Sequence, residues 1–434
     1  METWQILLSL SIALLAGLLL SRLAKLAKLP AVTAYLIAGI LVGPYVLGAF
    51  NIPGLGFIRA DIDNKTYSIV CDVALGFIAF SIGNEFRLSQ LKKIGKQATI
   101  VGVFQAVVTT IVVDVALIAL SFIIPDNKFP LPAAITLGAI ASATAPAATL
   151  MVVKQYKAKG PLTDILLPVV ALDDAVGLIL FAVSFGVAKA LLSGAVDVIS
   201  IVVEPLLEVV LSLGLGGLMG LAFTFVERFF HSRSKRLAVS VAFVMLTIGI
   251  SLMQFTIGGV HIAFSSLLTC MMLGTIFCNI CDFSEELMDR IDRWTAPIFI
   301  LFFVLSGAEL ELSVFTDVMI LLVGVVYILS RSAGKYTGAY LSAKFSGCNE
   351  NIVKYLGVTL LPQAGVALGM AIKSAELGMP IIANITLFAV LIYELVGPML
   401  TKIALLKAGD IDPEGKTSAR HEHAKKKALE NQQQ

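Results

Sequence analysis

Charge is scarce in this chain. Of 434 residues only 14% are Asp, Glu, Lys or Arg, while 58% are hydrophobic. Soluble domains carry about 25% charged and about 45–50% apolar residues. That deficit, with a mean hydropathy of +0.91, excludes an ordinary soluble protein. Cysteine is sparse as well. The five cysteines (71, 270, 278, 281 and 348) are scattered and odd in number, which argues against a disulfide framework. Cys278 and Cys281 have CxxC spacing, but no second ligand pair stands nearby, so they read as structural residues. No Gly-rich dinucleotide fingerprint follows a strand, and no nucleotide-sensing domain is expected. Neither a nucleophile, a metal set nor a phosphate loop stands out, so an enzyme and a resident cofactor are not expected. A net charge of +2 gives no sign of a nucleic-acid partner. Residues 1–20 lack a basic leader region and read as a retained first span, not a cleaved signal.

What is present is long apolar runs separated by short basic loops. Barrel strands alternate over about ten residues, so these runs predict an all-α membrane protein embedded in a lipid bilayer. Thirteen transmembrane segments are expected, near 4–21, 30–50, 66–86, 97–125, 130–153, 161–190, 199–227, 236–255, 260–280, 294–309, 314–343, 351–373 and 381–407. Lys and Arg concentrate in one set of alternate loops, in clusters such as Arg22–Lys28, Lys154–Lys159 and Arg228–Arg236. The opposite loops hold only Arg59, Lys65, Lys128, Lys189 and Lys373. The basic side is cytoplasmic by the positive-inside rule. The N-terminus is then outside and the C-terminus inside, as an odd number of spans requires. Residues 408–434, with Lys425–Lys427 and a run of Gln, form a short polar cytoplasmic tail after a transmembrane domain covering 1–407.

The two halves echo each other at an offset of about 220 residues. Gly83-Asn84-Glu85 matches Gly307-Ala308-Glu309, Pro146 matches Pro362, and Asp174-Ala175-Val176-Gly177 matches Glu394-Leu395-Val396-Gly397. Segments 1–6 and 8–13 therefore form two six-helix units. Segments 3 and 10 run in opposite directions, so the repeat is inverted. Inverted repeats mark secondary transporters, whose sites lie where broken helices meet at the midplane. Two breaks are visible. One is Ala141-Ser-Ala-Thr-Ala-Pro146-Ala-Ala-Thr149; the other is Leu360-Leu-Pro362-Gln-Ala-Gly365. Proline removes a helix hydrogen bond and frees a carbonyl, tolerated at membrane depth only where the backbone is buried or lines a cavity. Ser142, Thr144 and the freed carbonyls are candidate cation ligands.

Asp173 and Asp174 stand in the middle of segment 6. A single acid at the bilayer centre costs about 2.5–3.5 kcal/mol on insertion scales, so the pair marks function. Successive residues are about 100° apart on a helix, so the two acids face different ways. Asp174 is the candidate exchanging acid, since a carboxylate holds a proton or a cation but not easily both. Arg331 and Lys335 of segment 11 are four apart, share a face, and are candidate partners of Asp173. Snorkelling to the interface is the plainer alternative for both. Glu394, at the repeat position of Asp174, either pairs with Arg331 or Lys335 or braces the broken helices. Glu85 and Glu309, near opposite faces, read as access-funnel acids or ordinary interfacial ones. Asp114 is a further intramembrane acid, and His261 reads as a helix-start or interface residue.

These motifs resemble the monovalent cation:proton antiporter superfamily, closest to its Kef and NapA branch, over about residues 20–405. The resemblance rests on Leu172-Asp-Asp-Ala175, the first break, Gly334-Lys-x-x-Gly338, the run Leu29-Pro-Ala-Val-Thr-Ala-Tyr-Leu-Ile-Ala-Gly-Ile-Leu-Val-Gly-Pro44 and Pro362-Gln-Ala-Gly-Val-Ala-Leu-Gly369. It implies an NhaA-like antiporter fold and a homodimer. Scaffold spans would cover about 1–95 and 236–309, core spans about 97–190 and 314–407, and a linking span about 199–227. It implies Asp174 as the shared ion-binding acid and Asp173 as the partner of Lys335, an arrangement linked to electrogenic exchange. Thr144-Ala145-Pro146 stands where many electroneutral relatives have Thr-Asp-Pro, so one carboxylate ligand is missing. The expected function is exchange of Na⁺ or K⁺ for H⁺ by alternating access in the cell membrane. The alternatives are a Kef-like potassium efflux channel on the same scaffold, or a membrane sensor for a separate cytoplasmic partner. The sequence leaves open the choice of Na⁺ or K⁺ and whether a regulatory subunit exists.

Overall fold

The computed structural model describes residues 3–26, 29–52, 54–58, 67–84, 86, 88–124, 129–193, 204–253, 255–257, 260–281, 284–309 and 317–411. Each apolar segment expected from hydropathy contains helix. In chain order these are α1 (Thr3–Leu26), α2 (Ala31–Val42), α3 (Ser68–Asn84), α4 (Leu88–Ile123), α5 (Leu131–Ile140), α6 (Pro146–Tyr156), α7 (Pro161–Ser193), α8 (Glu204–Glu227), α9 (Arg233–Ser251), α10 (Ser266–Ile280), α11 (Ser284–Glu309), α12 (Val318–Phe345), α13 (Glu350–Thr359), α14 (Gly365–Lys373) and α15 (Pro380–Ala408). Among the described residues, eight helices are long and apolar enough to cross a membrane.

Prolines set several boundaries. Pro146, Pro161 and Pro380 open helices, where the missing N–H has no partner to lose. Ala145, before Pro146, is extended at φ −85°, ψ 101°, as the ring of a following proline demands. The fifth expected segment therefore splits into α5 and α6. Pro362 does the same to the twelfth, leaving α13 and α14 separated by non-helical residues 361–364.

Three boundaries differ from the hydropathy reading. The second segment is α-helical only to Val42, because Gly43, preceding Pro44, is extended, and it ends in a single 3-10 turn, Gly48–Phe50. A two-stranded antiparallel ribbon, β1 (Phe255–Ile257) and β2 (Val260–Ile262), stands where the eighth segment ends and the ninth begins, before α10. His261 thus lies in a strand opposite Thr256, not at a helix start. The tenth segment begins earlier than its apolar run, as α11 starts at Ser284 with polar turns.

The helices pack in two groups. Helices α1, α2, α3, α8, α9, α10 and α11 share one apolar core, to which α6 and, through Leu167 and Ala171, α7 also contribute residues. Helices α4, α5, α7, α12, α13, α14 and α15 supply the other two cores, again with a share from α6. The closest pairing in the second group is α4 against α12. There Gly334 and Gly338 let the backbones meet: a Cβ on either would stand 2.9 Å from the Cα of Thr109 or Gln105. Small residues allow such approach in membranes. That crossing sinks Lys335, which lies between the two glycines, deep into the bundle.

The N-terminus of α7 is closed by a residue far along the chain. Asp410 Oδ2 accepts from Thr163 N at 2.6 Å and from Thr163 Oγ1 at 2.8 Å, while Lys159 N donates to Asp410 O at 2.9 Å. A carboxylate at that end satisfies first-turn amides and meets the positive end of the helix dipole. Just before it, Gly409 takes φ +83° and ends α15.

Two outcomes are expected. Gly338→Val should force α4 and α12 apart and destabilise the purified protein by about 1–3 kcal/mol, the usual cost of overpacking, read as a lowered melting temperature in detergent. Gly369→Val, on a glycine with no described atom within 4 Å of where a Cβ would sit, should shift it far less.

Candidate functional site

The two breaks cross. Ala145 N donates to Pro362 O at 2.8 Å, and Thr144 Oγ1 lies 3.3 Å from Leu360 O. The C-terminal ends of α5 and α13 thus meet, and such ends carry partial negative charge. Two cations from α12 enter this junction. Arg331, fully buried, donates from Nε to Ala141 O at 2.9 Å, from Nη1 to Leu361 O at 2.7 Å and from Nη2 to Ala143 O at 2.7 Å. Its guanidinium also lies 4.4 Å from the Tyr393 ring centroid, within cation–π range. Lys335, one turn on and equally buried, donates to Ser142 O at 2.5 Å, to Thr144 Oγ1 at 2.9 Å and to Asp173 Oδ2 at 2.6 Å. Gln363 Nε2 donates to Ile140 O at 3.0 Å and to the Tyr327 hydroxyl at 2.9 Å.

Neither α12 cation snorkels. The junction's carbonyls cannot reach water, and a guanidinium with five fixed donors suits several of them at once. The freed carbonyls at 140–143, 361 and 362, expected as cation ligands, each already accept an internal donor, while Leu360 O faces the Thr144 hydroxyl. A transported cation would meet them only through a second lone pair.

Asp173 is fully buried on α7. Besides the Lys335 ammonium it accepts hydrogen bonds from Thr144 Oγ1 on Oδ2 and from Gln105 Nε2 on Oδ1. The question of which α12 cation it meets is thereby answered: Lys335 pairs with it, and Arg331 serves the backbone. Thr144 accepts from the ammonium and donates to the carboxylate, so it bridges the pair. Ser142 Oγ donates to Ala139 O at 2.7 Å and sits 3.1 Å from where a Cβ on Gly177 would stand. Asp174 lies next on α7, one turn before Gly177; its side chain falls outside the described residues.

The supporting residues divide. Glu394 on α15 is buried, but among the described residues it makes no hydrogen bond or ion pair, so it pairs with neither Arg331 nor Lys335. Its place is between Tyr393, which lies under Arg331, and Gly397, which packs on Pro362. Glu309 ends α11 at an exposed position, and Glu85 lies outside the described residues. Gly365 opens α14 directly after the second break. Asp114 on α4 abuts Gly138 of α5.

Three contributors escaped the sequence reading: Gln105, Gln363 and Tyr393. Gln105 had a signal, being an amide with Thr109 four residues on within the apolar run of α4. Gln363 adjoins Pro362, where freed carbonyls call for a donor. For Tyr393 the only hint was its place beside Glu394.

A predominantly helical apolar chain whose two interrupted helices cross beside a buried ion pair is a secondary transporter of the broken-helix type. The family described as "Sodium/hydrogen exchanger, transmembrane" matches residues 10–407, and the chain belongs to that family, within the monovalent cation:proton antiporters. Among curated relatives it is similar to the Na⁺/H⁺ antiporter NhaS4 of Synechocystis sp., 23% identical over 411 residues that cover 92% of this chain and 96% of that protein. Among solved structures it is similar to the sodium proton antiporter MjNhaP1 of Methanocaldococcus jannaschii. The structure at pH 8 aligns with TM-score 0.65 at 20% identity, covering 93% of this chain and 99% of that one. An electron-microscopy structure of the same antiporter aligns with TM-score 0.72 at 17% identity, covering 96% and 100%. The shared fold is the NhaP1 antiporter fold.

Removing one member of a buried pair costs about 3–5 kcal/mol, because the other charge is left uncompensated. Lys335→Met should therefore lower thermal stability strongly. The double variant Lys335→Met with Asp173→Asn should recover much of that loss in the same melting experiment.

Proposed function

We propose that the protein exchanges Na⁺ or K⁺ for H⁺ across the cell membrane by alternating access, with Asp174 as the acid that holds the cation and the proton in turn. The observation that carries this reading is the neighbouring site. Among the described residues Asp173 already has three donors and Lys335 three acceptors, so most of the pair's bonding capacity is spent on internal partners. The adjacent Asp174 is then the acid left to trade ligands.

In the ionised form Asp174 holds a partly dehydrated cation together with the Ser142 hydroxyl, whose lone pairs are not taken up by the ion pair. Thr144, a candidate ligand by its place in the first break, serves instead as the bridge within Asp173–Lys335. Protonation of Asp174 removes its charge and releases the cation. Because proton and cation compete for one carboxylate, apparent cation affinity falls as pH falls.

Movement of the second helical group, as a core, against the first, as a scaffold, would expose the site to one side and then the other. The partition of the apolar cores supports that division. The core then spans about 97–190 and 314–407, the scaffold about 1–95 and 236–309, and α8 provides the link. A homodimer with the N-terminus outside and the 408–434 tail in the cytoplasm completes the arrangement. We read exchange as electrogenic: a cation that draws Asp173 into its shell would break the pair, and Lys335 could then surrender a second proton.

Reconstituted vesicles provide the test. With a pH gradient imposed, wild type should show Na⁺- or K⁺-dependent proton movement, and Asp174→Asn should show none. Retained exchange in that variant would remove Asp174 from its role. Asp173→Asn should alter the transported charge per cation or the pH profile more than it abolishes turnover. Cation flux without proton movement would identify a channel instead.

A further inference from the structure

Helix α6 lies between the two helical groups: Ala147, Ala148 and Leu150 pack in the first group's core, and Val152, Val153 and Tyr156 in one of the second group's. Its first residue, Pro146, follows Thr144 and Ala145 at the crossing of the two breaks. Its last turn carries three successive residues that each grip the other group. Lys154 Nζ meets Asp292 Oδ1 of α11 at 2.6 Å, both side chains being partly exposed. Ser81 of α3 donates to the same Asp292 oxygen at 3.3 Å, so the acid is held from its own side. Gln155 Oε1 accepts the first N–H of α2, Ala31 N, at 2.8 Å. That amide is one a helix start leaves without an intrahelical partner. Tyr156 lies with its hydroxyl 3.5 Å from Leu29 O. A cavity of about 950 Å³ opens beside this grip, walled by Lys154 and Asp292 and by Leu167 and Pro168 of α7, the helix that carries the acid pair.

We infer that residues 154–156 of α6, through Asp292 and the N-terminus of α2, are access-determining: they hold the exchanger in the state in which this cavity lies between the two helical groups. The inference rests on the exchange reading above and adds to it the residues that set the balance between the two access states. The grip joins one group to the other at the basic end of the bundle. Relative motion of the groups must break it, because an ion pair at 2.6 Å and two hydrogen bonds tolerate no displacement of several ångströms. The same helix carries the first break, so the grip and the site move together. A ligand's apparent affinity on one side scales with the fraction of molecules open to that side. Weakening the grip therefore lowers affinity on the basic, cytoplasmic side and raises it on the other.

Side-resolved apparent affinities for Na⁺ and K⁺ in vesicles of known protein orientation test this. Lys154→Met and Asp292→Asn should each shift the ratio of external to cytoplasmic affinity about fivefold toward the external side, the equivalent of ~1 kcal/mol. The double variant should shift it no further than either single one, since both remove one interaction. Gln155→Leu should shift it in the same direction without touching a charge. Lys354→Met, which breaks an exposed pair with Glu350 inside α13, should leave the ratio alone. An unchanged ratio in the Lys154 and Asp292 variants, strictly additive shifts, or an equal shift from Lys354→Met would overturn the inference. Exchange that survives Asp174→Asn would instead overturn the reading beneath it, whatever the ratio shows.

Discussion

Two interrupted helices can cross inside a membrane only if their exposed carbonyls are answered. Here the answer is a pair of cations one turn apart on α12. Arg331 takes Ala141 O, Ala143 O and Leu361 O, and Lys335 takes Ser142 O. An unmet backbone group in hydrocarbon costs several kcal/mol. Without these two side chains the α5 and α13 ends would have little reason to meet. The rest follows from that placement. A buried lysine needs a counter-charge, which fixes Asp173 beneath it. Thr144 and Gln105 then orient the carboxylate, and the neighbouring position on α7 belongs to Asp174, the acid proposed to exchange.

The same arrangement changes the view of cation binding in this chain. Freed carbonyls at broken helices look like ready cation ligands. Here Arg331 and Lys335 already occupy four of them, and under the proposed exchange the cation leans on carboxylate and hydroxyl oxygens. The alanine at 145, where many electroneutral relatives have an acid, fits that economy. Its amide is tied to Pro362 O, and its side chain is buried among apolar neighbours.

Much of this was legible in the residues. Pro146 and Pro362 marked the breaks because proline acts locally, whatever surrounds it. Asp173 and Lys335 stood out because a charge in an apolar run is costly and demands a partner. Other parts were not legible, for physical reasons. Backbone carbonyls carry no side-chain signature, so the role of Arg331 could not be separated from a carboxylate partnership or from snorkelling. Glu394 matched Asp174 by repeat, yet it pairs with no described residue, because position in a repeat does not fix a partner. Lys154 counted only as one of the basic loop charges and Asp292 drew no reading, since the helix packing that joins them is absent from local pattern. The ribbon at 255–262 and the early start of α11 were hidden by hydropathy, which reports burial in lipid and not backbone shape.

The cap on α7 bears on how the molecule is made. The amide of Thr163 waits for a carboxylate 247 residues downstream. A nascent chain threads the acid-bearing helix into the bilayer long before Asp410 leaves the ribosome. During that interval the opening turn of α7 must rely on water or lipid headgroups, and the exchanger is mechanically unfinished until its last helix has been delivered.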